Sequence, residues 1–110
     1  MAERFELKKS SDGQFYFTLQ AANNEKILTS EMYKAKDGAE NGIASVKTNA
    51  TNDSRFDRRT SKAGKPYFVL KAANGEVIGT SEEYSSIEAM ENGIAAVQRA
   101  APMAGTDDRT

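Results

Sequence analysis

The sequence predicts an α+β fold in which two duplicated β-β-β-α units form one antiparallel sheet, with both helices on one face and a pseudo-twofold axis between the units. Three observations lead there. The chain repeats itself without a gap at an offset of 51, and between residues 4 and 50 some 23 of 47 positions match their partners. Each copy carries short runs in which apolar and polar residues alternate, separated by turn residues. Each copy then ends in apolar positions at helical spacing.

The first strand of each copy is Phe5-Glu6-Leu7-Lys8-Lys9 and Phe56–Arg59. Alternation marks the first of these as a half-buried strand. Asp12-Gly13 supplies a hairpin turn, because glycine accepts positive φ. The second strands are Phe15–Ala21 and Pro66–Ala72, with Phe15, Phe17, Leu19 and Ala21 on one face. Pro66 stands at a strand start, where a missing N–H is tolerated. Asn23-Asn24 and Asn74-Gly75 make the next tight turns. The third strands are Ile27–Ser30 and Val77–Ser81.

The helices follow. Ala39, Ile43, Val46 and Ala50 form one apolar stripe, and Met90, Ile94, Val97 and Ala101 repeat it. Ser85 with Glu88 fits a capping box for the second helix, and Asp37 with Glu40 serves the first. Gly42 and Gly93 sit inside the helices, each at a cost of about 1 kcal/mol relative to alanine. Their recurrence predicts a close approach of helix backbone to the sheet. A unit of about 50 residues with one helix is marginal alone, so the whole of 1–110 is expected to be one domain. Its parts are repeat one at 4–50, repeat two at 55–101 and a tail at 102–110.

The combined pattern resembles the YegP-like family of small bacterial proteins. The carrying residues are Thr29-Ser30-Glu31-x-Tyr33, Glu40-x-Gly42-Ile43-Ala44-Ser45-Val46, Gly64-Lys65-x-Tyr67-Phe68-x-Leu70-Lys71-Ala72-Ala73-Asn74 and Asn92-Gly93-Ile94-Ala95. The resemblance covers essentially the whole chain. It implies tandem β-β-β-α-β units in a single sheet, the strand after each helix being contributed across the pseudodyad. The tail Met103–Thr110 lacks the apolar alternation of a strand. The family has no established biochemical role, so the resemblance implies no catalytic residues.

Composition excludes much chemistry. The 110 residues include no His, Cys or Trp. That removes thiolate nucleophiles, disulfides, zinc fingers and Ser-His-Asp triads. No side chain has an ordinary pKa between about 5 and 8. The net charge of −1 points to neither nucleic acid nor membrane. The charged amino terminus is no signal peptide, and no apolar run spans a bilayer. A cytoplasmic protein without cofactor or metal is expected, either a monomer or a weak homodimer, with a protein partner open.

Two groups of residues could still act. The repeated Thr-Ser-Glu-x-Tyr segment places Ser30, Glu31 and Tyr33, and again Ser81, Glu82 and Tyr84, in the loop before each helix. Hydroxyl, carboxylate and phenol could converge on a polar ligand there. The competing reading is structural: the serines bond nearby backbone, and the tyrosines pack with their hydroxyls outward. Glu40 and Glu91 suit the early turns of a helix without any metal. The second group is the basic stretch Lys47–Lys65, with a local net charge of +4, in which Arg55, Arg58, Arg59, Lys62 and Lys65 could hold an anion or single-stranded nucleic acid. Alternatively they guard a sheet edge against aggregation. Residues 76–91 hold five Glu and no cation, so the surface is expected to be bipolar. The sheet face away from the helices carries Tyr16, Thr18, Gln20, Tyr67, Val69 and Lys71, and is a contact surface if it is open. The reading that follows is a non-catalytic binding or interaction module, with a weak nucleic-acid or anion binder as the alternative.

Overall fold

The computed structural model describes residues 3–110. Strands β1 (Arg4–Lys9), β2 (Phe15–Gln20) and β3 (Lys26–Ser30) precede helix α1 (Lys36–Asn49). A 3-10 turn (Asp53–Arg55) leads into β4 (Phe56–Thr60), β5 (Pro66–Lys71) and β6 (Val77–Thr80). Helix α2 (Ile87–Ala100) and β7 (Gly105–Asp108) complete the chain. The turns are made as the sequence reads, with positive φ at Gly13, Gly64, Gly75 and, as the one non-glycine among the described residues, Asn24.

The seven strands form one sheet in the order β4-β5-β6-β3-β2-β1-β7. The repeats meet where β3 pairs with β6, Thr29 opposite Thr80 and Ser30 opposite Gly79. The sheet is not wholly antiparallel as expected: β7 runs parallel to β1, with Arg4 opposite Gly105 and Leu7 opposite Asp108. The tail is therefore a strand despite its polar sequence. Alternation reports burial of one face, and an edge strand with little burial has no need of it. β7 is held by its backbone ladder, by Arg109 N–H donating to the Leu7 carbonyl (2.8 Å) and by a Lys36–Asp108 ion pair.

Both helices bury their stripes in one core shared by the two repeats. Phe5, Leu7, Phe17 and Leu19 belong to the same cluster as Phe56, Phe68 and Leu70, together with Ile43, Val46, Ile94 and Val97 of the helices. Each such side chain contributes about 1.5–3 kcal/mol on burial. The caps differ from expectation. Ser86, not Ser85, caps α2, its hydroxyl accepting from Ala89 N–H at 3.0 Å. Ala35 precedes α1 without a side-chain cap, and Asp37 lies inside the first turn.

The other face of the sheet carries no helix. One row runs right across it: Asp107, Glu6, Thr18, Thr29, Thr80, Val69 and Asp57. Thr18, Gln20 and Val69 are nonetheless buried, with Gln20 accepting from Arg4 and donating to Thr18. Glu6 is buried too. Desolvation would raise its pKa, but bonds from Arg4 and Lys8 and the charge of Arg109 bring it below the usual carboxylate value. Tyr16, Tyr67 and Lys71 are half-buried on this open face, which no helix covers. No helix among the described residues is long and apolar enough to cross a membrane.

Candidate functional site

The repeated Thr-Ser-Glu-x-Tyr segment leaves each third strand and turns toward the helix. Its serines are consumed by backbone. Ser30 Oγ accepts from Phe17 N–H and donates to the Glu31 carbonyl, both at 2.8 Å. Ser81 does the same with Phe68 N–H (2.9 Å) and the Glu82 carbonyl (2.8 Å). Both serines are buried. Neither hydroxyl is poised as a nucleophile.

The tyrosines sit differently. Tyr33 stacks on Phe17 with ring centroids 6.4 Å apart, and Phe17 meets Phe5 edge-on at 5.8 Å. Tyr84, Phe68 and Phe56 repeat the arrangement at 6.2 and 5.6 Å. Each phenol crosses the bare backbone of a helix glycine: a Cβ on Gly42 would stand 2.5 Å from the Tyr33 hydroxyl, and one on Gly93 would overlap that of Tyr84. Both helix glycines thus make room for a tyrosine from the loop, and Gly42 also approaches the sheet as the sequence pointed to, its Cβ position lying 2.9 Å from the Phe17 ring. Gly93→Ala should push the Tyr84 ring outward. Overpacking costs about 1–3 kcal/mol, and alanine's better helix propensity returns about 1 kcal/mol. The net loss is expected in thermal unfolding, with the displaced ring seen in Tyr84 proton shifts; unchanged shifts would refute the contact.

Around each phenol lies a cleft built from both repeats. The first, of about 570 Å³, is lined by Glu31, Tyr33, Gly42 and Asn41 of repeat one and by Glu76 and Ile78 of repeat two. The second, of about 390 Å³, is lined by Glu82, Tyr84, Gly93 and Asn92 together with Glu25 and Ile27. The pseudodyad maps one set onto the other. Burial raises the pKa of Tyr33, and the charges of Glu31 and Glu76 raise it further. Tyr84 is raised by burial and by Glu25 and Glu82. Both phenols therefore stay protonated and can donate. The clefts differ at their rims: Met32, 47% exposed, and Val77 border the first, whereas Glu83 and Lys26 border the second.

The sequence singled out Glu31, Tyr33, Glu82 and Tyr84, and the fold brings each pair into a cleft. It did not single out Glu25 and Glu76. Their recurrence just before the third strand was the available signal, but the crossing that carries each to the other repeat's loop is a tertiary fact. No group of three or more carboxylates able to hold a metal ion occurs among the described residues.

The basic stretch does not converge. Period-two alternation sends Arg58 to the helix side and Arg59 to the open face. Arg58 forks onto Glu91 at 2.6 and 3.0 Å and reaches Asp53 at 3.2 Å, which raises its pKa. Arg59 pairs with Asp57 (3.0 Å), and Arg55 donates to Asn49 Oδ1 (3.0 Å). Lys62 and Lys65 lie on the exposed β4–β5 turn, without an ion pair among the described residues. Three of the five cations already have partners within the chain.

Comparison with known proteins places these features in context. A family model described as a domain of unknown function (DUF1508) matches twice, at residues 10–57 and 61–108. A UPF0339 protein of Pseudomonas aeruginosa is 52% identical over 110 residues, covering all of both chains. The UPF0339 protein YegP of Escherichia coli is 52% identical over 98 residues, 89% of each chain. The solution NMR structure of YegP, a protein of unknown function, matches with a TM-score of 0.94 at 48% identity, covering 100% of this chain and 95% of that one. That of a UPF0339 protein from Shewanella oneidensis matches with a TM-score of 0.91 at 49% identity, covering 98% and 92%.

Proposed function

The chain belongs to this uncharacterised family of paired DUF1508 repeats, and from that premise we propose that it is a non-catalytic binding module whose two clefts each take a positively charged group. One observation carries the reading: the same set of two glutamates, a phenol and an asparagine is assembled twice, each time with one carboxylate from the other repeat. Two carboxylates beside an aromatic ring attract an ammonium or guanidinium by charge and by the ring face. The protonated phenol and the Asn amide supply directional bonds around it. The non-catalytic half of the reading is supported by Ser30 and Ser81, whose hydroxyls are committed to backbone, and by a chain without His or Cys.

The test is an amide NMR titration with a short lysine-rich peptide, and its fully acetylated form as control. Shifts are expected at Asn41, Gly42, Asn92 and Gly93, weakening with salt. Glu31→Gln with Glu76→Gln should silence the first cleft and leave the second. Flat titrations at both clefts with millimolar peptide would refute the reading.

A further inference from the structure

The two edges of the sheet are not equivalent, and the difference points to a second copy of the chain. β1 is covered by β7, the segment that follows α2. The segment that follows α1 at the same offset of 51 is residues 54–57, which run into β4 itself. The strand that would cover β4 is thus already spent as β4, and that edge stays open at the end of the sheet. Arg58 stands at the position of Leu7, whose carbonyl accepts from Arg109 N–H across the β1–β7 boundary. By the same repeat, the backbone of Arg58 faces outward from β4.

We propose that β4 pairs antiparallel with β4 of a second copy, about a twofold axis at Arg58, making one continuous sheet. The sequence Phe56-Asp57-Arg58-Arg59-Thr60 is self-complementary in that register. Arg58 faces the partner's Arg58 as a hydrogen-bonded pair, with Phe56 opposite the partner's Thr60. On the open face Asp57 lies opposite the partner's Arg59, and Arg59 opposite the partner's Asp57, so two cross-strand ion pairs form. The central arginines do not repel as bare charges, because each is forked onto Glu91 and bonded to Asp53 in its own chain. Ile87 adds a second reason. It takes the place of Lys36, which reaches β7 beyond β1, yet Ile87 is 69% exposed. A strand added beyond β4 runs where Ile87 can cover it. Self-pairing at the β7 edge about Asp108 would likewise set Asp107 opposite the partner's Arg109, but there the neighbouring helix offers Lys36, tied to Asp108, in place of an exposed apolar residue. Joining β4 to β7 of another copy gives an open filament, whereas the β4 pair closes at two.

Sedimentation equilibrium from micromolar to millimolar chain tests this on the intact protein. The expected result is a reversible dimer. Arg59→Asp should weaken it about tenfold, the scale of losing two cross-strand pairs and gaining two repulsions. The triple change Asp57→Arg, Arg59→Asp and Lys71→Glu should restore it, since it reverses the pairs across the axis and keeps the Asp57–Lys71 pair within the chain. Arg58→Cys supplies an independent readout. The chain has no other cysteine, and a hydrogen-bonded antiparallel pair holds its Cα atoms about 5.5 Å apart, within disulfide reach. Mild oxidation should then give a covalent dimer. A monomer at every concentration, a dimer indifferent to Arg59→Asp, or Arg58→Cys that resists crosslinking would each overturn the proposal.

Discussion

Phe17→Ala is expected to cost about 3–5 kcal/mol of folding stability, and Phe68→Ala about the same. A domain of this size is stable by about 5–15 kcal/mol in all, so either change removes a large part of the margin. Each ring is fully buried and is the middle member of an aromatic triple, Phe5–Phe17–Tyr33 or Phe56–Phe68–Tyr84. Truncation leaves a cavity under the helix and also takes away the surface on which the cleft tyrosine stacks. The two losses come together, so the variants should show poorly ordered Tyr33 or Tyr84 rings as well as lower midpoints in urea. Because the core is one cluster drawn from both repeats, damage in either repeat is expected to move a single unfolding transition. The equality of the two costs follows from the matching surroundings. A cost below about 1 kcal/mol for either ring, or two separate transitions, would contradict this picture of one repeated core.

The sequence carried most of this architecture because its signals were local. Asp12-Gly13, Asn23-Asn24 and Asn74-Gly75 fix turns through backbone preferences of one or two residues. The helical stripes of α1 and α2 follow from period alone. What escaped was set by partners distant in the chain. β7 is polar because an edge strand is held by backbone, and only the neighbouring β1 makes it a strand. Gly42 reads as a glycine in need of space, but that a phenol fills the space is visible only once the loop folds back. Glu76 enters the first cleft from the other repeat, a contact that no spacing within one repeat contains. The scattering of the arginines was half legible: alternation separates Arg58 from Arg59, but not which acid each would find.

Exchanging the residues at positions 28 and 79 should show how the duplication was fitted to its own axis. These are matching positions in the two repeats, and they lie beside the β3–β6 seam. A Cβ on Gly79 would stand 2.7 Å from both Cγ and Cδ2 of Leu28. Two leucines cannot share that space, so one repeat keeps leucine, 1% exposed, and the other gives way with glycine. Gly79→Leu alone overpacks the seam, at about 1–3 kcal/mol. Leu28→Gly alone empties it: the loss exceeds the 2–5 kcal/mol typical of leucine to alanine, with about 0.5–1 kcal/mol more for glycine in a strand. The double variant Leu28→Gly, Gly79→Leu restores one leucine and one glycine in mirrored places, because the pseudodyad carries each site onto the other. Urea denaturation of the four proteins measures the coupling. The double variant should recover about 2 kcal/mol or more relative to the sum of the singles, within the range of directly packed pairs. If the two costs simply add, the leucine and the glycine do not compete for one space and the seam is not symmetric in the way described.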